Sequence, residues 1–513
     1  MARDESNRVE FGFRSNGLQL VFHVSIAILI GVTLKATTFN EALLAASRTG
    51  TSYTYQTAFL VSFGFTKALS NVVVGRMSDV YGRKIPHCLG WIAGIILGAL
   101  LYTISQQSND DNGTDNNWNW YIVANIFLGA QQGWTWTTNI FMFIDVLGPE
   151  NRALASGISN SVGYLSSAIT TYVITAMSIQ QSFLLVLVCS IGGFIISTVG
   201  MKDTTQFVLL ETGSSPSSAS HDDEQMNHHP DQVSERSNDD FIEDEEDFVD
   251  EDEQEGKPAM SQSRIRKHGS EYEMVALSSS SQNTSLAGSS ELDANQIVLS
   301  SSFGRVLLQT CWYNPSTAVL LIAGLMTNLI TSLAWGLVLI WAKRQSLSKF
   351  QIANISSAFT FSKAAMMIVA SRTSDKWKTR KPVLVGGFVT AMLGLIITAM
   401  ADSSLAQVIP VYMLLLIGGI VIGCGIGSVY CVMAGSISDH TPAMDRATAI
   451  GIYKLWRDSG YAVGGLLTGL LADIFHGSFV ITTAVVTGMV GVLVICISKY
   501  YREGQIAVQH DGL

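Results

Sequence analysis

Phe63–Lys84, FGFTKALSNVVVGRMSDVYGRK, and Phe359–Lys381, FTFSKAAMMIVASRTSDKWKTRK, are two copies of one segment, and their relation decides the fold. Phe63, Phe65, Lys67 and Ala68 return as Phe359, Phe361, Lys363 and Ala364 at an offset of 296. Arg76, Ser78 and Asp79 return as Arg372, Ser374 and Asp375 at the same offset. A second block repeats at 294: Asp145, Arg152, Ala153, Ala155 and Gly157 match Asp439, Arg446, Ala447, Ala449 and Gly451. Gly129 and Gly133 fall on Gly423 and Gly427 at that offset. Glycines at such positions let helices approach closely.

Working outward, the apolar residues fall in long runs, of which Leu320 to Ile340 and Phe479 to Ile497 are two. Each is long enough to cross a hydrocarbon core of ~30 Å as a helix. The 513 residues are 48% hydrophobic and 14% charged, against about 25% charged in soluble domains. Twelve spans are expected, at about 18–45, 54–75, 86–106, 119–143, 153–176, 180–200, 316–342, 350–370, 382–401, 408–433, 447–471 and 477–498. The repeat pairs helix 2 with 8, 4 with 10 and 5 with 11, running in the same direction. The expected fold is an all-α polytopic membrane protein of two six-helix pseudo-repeats. Its parts are a cytoplasmic tail (1–16), a first bundle (17–201), a linker (202–305), a second bundle (306–499) and a second cytoplasmic tail (500–513). The polar first sixteen residues and the long helix after them do not read as a cleavable signal peptide.

The formal charge of −10 hides a division. Residues 201–302 hold 23 acidic and 6 basic side chains, so the rest of the chain is net basic. The serine-rich, carboxylate-rich linker cannot bury a core and is expected to be disordered, either as a solvated spacer or as a regulatory or sorting segment. Arg76, Arg83, Lys84, Arg152, Lys376, Lys378, Arg380, Lys381 and Arg446 fall on one side of the membrane; Arg48, Lys343, Arg344 and Lys349 fall on the other. The excess puts both termini and the linker in the cytoplasm. The loop Ser105 to Asn117 then faces outward or into a lumen, where its Asn112-Gly113-Thr114 sequon suits glycosylation. The choice between plasma membrane and endomembrane stays open. Six cysteines without a CxxC pair read as small buried hydrophobes.

Gly75-Arg-Met-Ser-Asp79-Val-Tyr-Gly82-Arg83-Lys84 resembles the signature loop of the major facilitator superfamily between helices 2 and 3. Ser371 to Lys381 is its degenerate copy, lacking the inner glycine and carrying one added residue before Arg380. The resemblance implies a secondary active transporter working by alternating access, with a central site between two rocking halves. It also implies that the loop latches the halves on the cytoplasmic side. Asp79, Arg83 and Asp375 therefore receive a gating role, with Asp145, Arg152, Asp439 and Arg446 of the second repeated block. The glycine-rich nitrate signature of the family is absent, and so is the proline-bearing helix-5 motif of its drug–proton antiporters around Gly157 and Gly163.

Ionisable groups deep in a membrane are expensive and mark function by default. Lys67 lies twelve residues from Asp79, ~18 Å at the helical rise, so it sits near the midplane with Lys363 at the equivalent depth. Helix 11 adds Lys454, Arg457 and Asp458 on one face. Lys454 and Asp458 can pair there, which would leave Arg457 free. Lys35 either snorkels or sits mid-membrane; its repeat position, 331, falls inside helix 7 and favours the second. Glu41 lies nearer the outer end. Asn139 and Asn328 are candidate polar groups of the cavity. Trp134, Trp136 and Trp335 line it or simply pack, and His23 is expected at the interface. Five cations against Asp458 call for an anionic solute, since excess buried positive charge needs compensation. Asp458 is the candidate proton carrier; if it is permanently paired, the protein is a uniporter or exchanger.

No phosphate-binding loop, no HExxH and no intramembrane carboxylate pair supports an enzyme, and no cofactor, metal or nucleic acid is expected. The expected partners are the lipid bilayer and a small solute, and the expected state is a monomer. Two competing classes remain: an exporter of a neutral or cationic compound, and a non-transporting sensor signalling through the linker.

Overall fold

The computed structural model describes residues 11–12, 15–48, 50–107, 117–148, 152–207, 303–441 and 446–504, without the side chains of 79, 80, 117, 152–154, 446 and 447. Within them the first half holds α1 (Gly17–Ala46), α2 (Tyr53–Tyr81), α3 (Lys84–Gln107), α4, α5 (Arg152–Val173) and α6 (Ile179–Ile195). Helix α4 runs as Asn117–Gln131, then a π turn at Gln132–Trp136, then Thr137–Leu147. The second half holds α7, α8 (Lys349–Trp377), α9 (Lys381–Ala399), α10 (Val411–Asp439), α11 (Arg446–Ile474) and α12 (Phe479–Tyr500). Helix α7 is Pro315–Trp335, interrupted at Gly336 and resumed as Leu337–Arg344. The Asn112 sequon and most of the acidic linker lie outside the described residues.

Local sequence explains where these helices start. Ser52 accepts from the Tyr55 N–H to cap α2, and its repeat counterpart Ser348 caps α8 in a box with Gln351. Ser178 and Gln181 close the same box on α6. Asn314 caps α7, with Pro315 in the first turn, where its missing N–H costs nothing. Among the described residues, nine helices are long and apolar enough to cross a membrane by length and composition. The other three depart for visible reasons. Helix α4 is divided by its π turn, α5 is rich in Ser, Thr, Asn and Gly, and α11 carries Lys454, Arg457 and Asp458.

Burial sorts the helices into two groups. Helices α6, α9 and α12 are the least buried, and Val188, Ile195, Val492 and Ile495 are exposed on their outer faces. Continuous apolar exposure on that scale suits lipid. Between the halves, α2 packs along α11 and α5 along α8; within them, α1 packs on α5 and α7 on α11. The centre is therefore lined by the polar helices. The repeated glycines fix it. A Cβ on Gly129 would stand 2.6 Å from the Phe63 carbonyl oxygen and 2.9 Å from the Lys67 backbone nitrogen. A Cβ on Gly423 would meet the Phe359 carbonyl oxygen and lie 3.2 Å from the Lys363 backbone nitrogen. The same close approach thus sets both lysines in place. Gly129→Leu should cost about 1–3 kcal/mol by overpacking, read as a lower melting temperature of the purified protein. An unchanged melting temperature would mean that α4 and α2 separate without penalty.

Candidate functional site

At one end of the bundle the signature loop is wired twice. Gly82 adopts φ +78°, a left-handed value that favours glycine. Arg83 Nε pairs with Asp145 Oδ2 at 3.4 Å, and Lys84 Nζ donates to the Thr198 carbonyl at 2.8 Å. In the degenerate copy Arg380 Nε meets Asp439 Oδ2 at 3.1 Å, Arg380 Nη1 meets Asp375 Oδ1 at 2.6 Å, and Lys381 Nζ donates to the Ser498 carbonyl at 2.8 Å. A carboxylate caps the next helix in both: Asp203 accepts from the Lys84 N–H, and Glu503 from those of Arg380 and Lys381. Burial opposes ionisation of Asp203. The Thr205 hydroxyl, the two backbone N–H groups and Arg83 outweigh it and hold its carboxyl below the usual carboxylate range. Arg83, Asp145, Arg380, Asp375 and Asp439 thus have partners inside their own half. The side chains of Asp79, Arg152 and Arg446 lie outside the described residues.

The centre is organised by Asp458, which is fully buried. Arg457 donates to it twice, Nε to Oδ1 at 2.8 Å and Nη2 to Oδ2 at 3.2 Å. Asn328 of α7 donates to Oδ1 at 2.9 Å, and Asn71 of α2 donates to Oδ2 at 2.7 Å across the two halves. Thr137 in turn donates to the Asn71 oxygen at 2.8 Å. This corrects the expected Lys454–Asp458 pair. Arginine is long enough to fold back on its neighbour, and its fork matches a carboxylate. Lys454 instead lies over the Phe141 ring of α4 at 4.6 Å, and its buried Nζ has no hydrogen-bond partner.

Lys67 and Lys363 occupy matching aromatic cages. Lys67 Nζ lies 5.6 Å from the Trp136 ring of its own half and 5.0 Å from the Tyr461 ring of the other. Lys363 Nζ lies 4.6 Å from the Tyr430 ring of its own half and 4.3 Å from the Tyr164 ring of the other. Trp136 and Tyr430 are repeat equivalents at offset 294. Among the described residues neither lysine has a carboxylate in ion-pair contact; Lys363 reaches only the Thr331 hydroxyl, at 3.4 Å. Lys35 is fully buried, with its Nζ unpartnered and 5.0 Å from the Trp335 ring. Position 331 is its repeat counterpart, so α1 and α7 aim Lys35 and the Thr331 that holds Lys363 at equivalent depths.

Other candidates have structural partners. Asn139 Oδ1 meets His23 Nδ1 at 2.9 Å, and its amide donates to the His23 carbonyl and the Ser159 hydroxyl. It braces α1, α4 and α5. His23, near the start of α1, is completely buried against this brace. The π turn sends Trp134 and Trp136 to different places. Trp134 packs at Gly90 of α3, whereas Trp136 lies 5.2 Å from Tyr164 and donates to Asn160 at 2.9 Å. Sequence reading passed over Asn71 and Tyr430. Asn71 follows Lys67 by four residues and shares its face; Tyr430 would have emerged by extending the repeat from Trp136.

At the opposite end the halves are joined through helix termini. Asp473 of α11 accepts from the Tyr53 N–H at 2.6 Å and the Thr54 N–H at 2.9 Å, at the start of α2. Lys349, at the start of α8, donates to the carbonyls of Ile174 and Met177 at 2.9 and 3.1 Å, just past α5. A carboxylate thus meets the positive end of one helix and an ammonium the negative end of another. Arg344 adds a bond to Gln56 at 3.1 Å and lies 4.1 Å from the Tyr53 ring.

The sequence matches the model of the Major Facilitator Superfamily over residues 21–221 and 320–507, one match in each repeat. Solved structures share the fold. One is a D-xylose–proton symporter, 10% identical with TM-score 0.61, the alignment covering 94% of this chain and 98% of that one. Another is the xylose transporter XylE from E. coli in a partially occluded inward-open conformation, 11% identical with TM-score 0.60, covering 97% and 99%. With two repeated six-helix halves, a doubly wired signature loop and a charged centre between them, this chain belongs to the Major Facilitator Superfamily and is a multi-pass secondary transporter rather than an enzyme.

Proposed function

We propose that the protein carries a small anionic solute by alternating access, with both termini and the acidic linker in the cytoplasm. One observation carries this reading. Asp458 is consumed by Arg457, Asn71 and Asn328, while Lys67 and Lys363 stand buried on aromatic rings with no carboxylate acceptor among the described residues. Cation–π contact makes such a lysine tolerable, at ~2 kcal/mol when desolvated, but falls short of neutralising it. An anion arriving between the halves would complete the site. A cationic solute would meet four or five like charges, and the carboxylate among them, Asp458, is already taken. The basic signature-loop end supports a cytoplasmic assignment, which makes the opposite, joined end the closed one here.

Anions screened by thermal shift on the purified full-length protein should raise its melting temperature, and Lys67→Ala or Lys363→Ala should remove the effect. Stabilisation by neutral or cationic compounds alone would overturn the proposal. Deleting 210–302 should leave flux in vesicles intact; a protein with no flux to measure that loses a signalling output instead would be a sensor.

Coupling to protons falls to Glu41 rather than Asp458. Glu41 is fully buried on α1, accepts from Asn125 at 2.8 Å, and has a second oxygen without a partner. Glu41→Gln should abolish the acceleration of uptake by an inward pH gradient while leaving solute exchange in place. A variant that still responds to the gradient would return the protein to the uniporter or exchanger class.

A further inference from the structure

We infer that the solute is an organic carboxylate with a flat, unsaturated body, and not an inorganic oxyanion. This rests on the anionic reading above and narrows it.

The surroundings of the free cations decide between the two. Lys67 stands over Phe63, Trp136 and Tyr461, and Lys363 over Tyr164, Tyr430 and Trp335, every ring centroid within 6.0 Å. The face of an aromatic ring carries the negative side of its quadrupole. A compact oxyanion drawn to either ammonium would rest on those faces and be repelled by them. It would also need a full shell of N–H and O–H donors to replace its water; the Tyr453 and Tyr461 hydroxyls have no partner, but several other donors nearby are committed. Asn71, Asn328 and Arg457 serve Asp458, the Trp136 N–H serves Asn160, and the Tyr164 hydroxyl donates to that of Tyr430 at 3.2 Å.

A flat carboxylate fits the same walls. Its body stacks on the rings while its charge reaches past them to an ammonium. The rings already rehearse this contact among themselves. Trp335 and Tyr461 stack at 5.8 Å with planes 19° apart. A planar guest would exchange ring–ring contacts for ring–guest contacts of the same kind. Trp335 supplies an independent sign. It is fully buried, its indole N–H has no partner, and its ring centroid lies 5.0 Å from Lys35 Nζ and 6.0 Å from Lys363 Nζ. An acceptor oxygen held by those lysines would satisfy that N–H. Trp335 is also the last residue before the break at Gly336, which lets its ring shift without dragging the rest of α7.

The test uses the purified full-length protein and four probes at equal ionic strength: benzoate, cyclohexanecarboxylate, sulfate and phosphate. Benzoate should raise the melting temperature at a concentration at least tenfold below that needed for cyclohexanecarboxylate, which has the same charge on a puckered body. Sulfate and phosphate should do nothing. Trp335→Phe keeps the ring face and removes the N–H, and should weaken the benzoate response several-fold; Lys363→Ala should abolish it. Equal response to the two carboxylates would overturn the inference. So would stabilisation by sulfate or phosphate that depends on Lys67 and Lys363, which would leave the anionic reading standing. Stabilisation by none of the four would overturn the inference, while the wider anion screen still decides the anionic reading.

Discussion

Lys363→Ala should abolish uptake while leaving the melting temperature unchanged or higher, and Lys67→Ala should do the same. Two costs act in opposite directions. Lys363 is fully buried, with one long hydrogen bond and three ring contacts, so the empty protein sustains a desolvated charge for little return. Removing that charge relieves the empty state. The loaded state instead loses the group that would neutralise the solute, at about 2–5 kcal/mol. At about 1.4 kcal/mol per decade, transport should fall by roughly 30-fold to several thousand-fold. A structural lysine would give the reverse pattern, lower stability with flux retained in whatever protein folds. Measuring uptake and melting temperature on the same preparation separates the cases, and retained uptake in both variants would sink the proposed site. The repeat adds a check: Lys67 and Lys363 are equivalent in sequence and in surroundings, so a large effect at one and none at the other would argue against a shared solute.

Asp458→Asn should be the most destabilising single change in the centre, by about 3–5 kcal/mol. Its carboxylate accepts four hydrogen bonds from three residues, and it is the sole carboxylate paired with Arg457 among the described residues. The amide would leave the guanidinium inside the bundle without a counter-charge. Arg457→Met combined with Asp458→Asn removes both charges and should recover most of the loss, because a pair replaced together leaves neither partner stranded. The readout is the melting temperature of the four members of this cycle. If the double variant is as unstable as Asp458→Asn alone, the instability comes from one of Asn71 and Asn328 facing an amide NH2 where it had an acceptor oxygen, and the ion pair carries little of it.

The architecture was legible because duplication writes it twice. Ser52 and Ser348 cap equivalent helices, Gly129 and Gly423 admit equivalent backbones, and Lys67 and Lys363 follow from that packing. What stayed hidden lies where the halves differ or where geometry is not periodic. Asn71 corresponds to Met367, so the repeat gave no hint that it would cross to Asp458. Helical spacing puts Lys454 one turn from Asp458 and favours that pair, but it says nothing of a side chain doubling back on the adjacent residue, as Arg457 does. The π turn has no counterpart in α10, which runs unbroken from Val411 to Asp439. The joints at the far end bring together residues far apart in sequence, 420 for Asp473 and Tyr53 and 175 for Lys349 and Ile174, and depend on helix tilt that no local pattern encodes.

Those joints have an evolutionary consequence. In each, one party is a side chain and the other is bare peptide: the N–H groups that start α2, and the carbonyls that follow α5. Drift can erase Asp473 or Lys349, yet no substitution other than proline deletes a peptide group. The receiving half of each joint is therefore heritable in almost any sequence that keeps the helix. A lineage that loses the carboxylate or the ammonium can regain it by one reversion, with the docking groups still waiting.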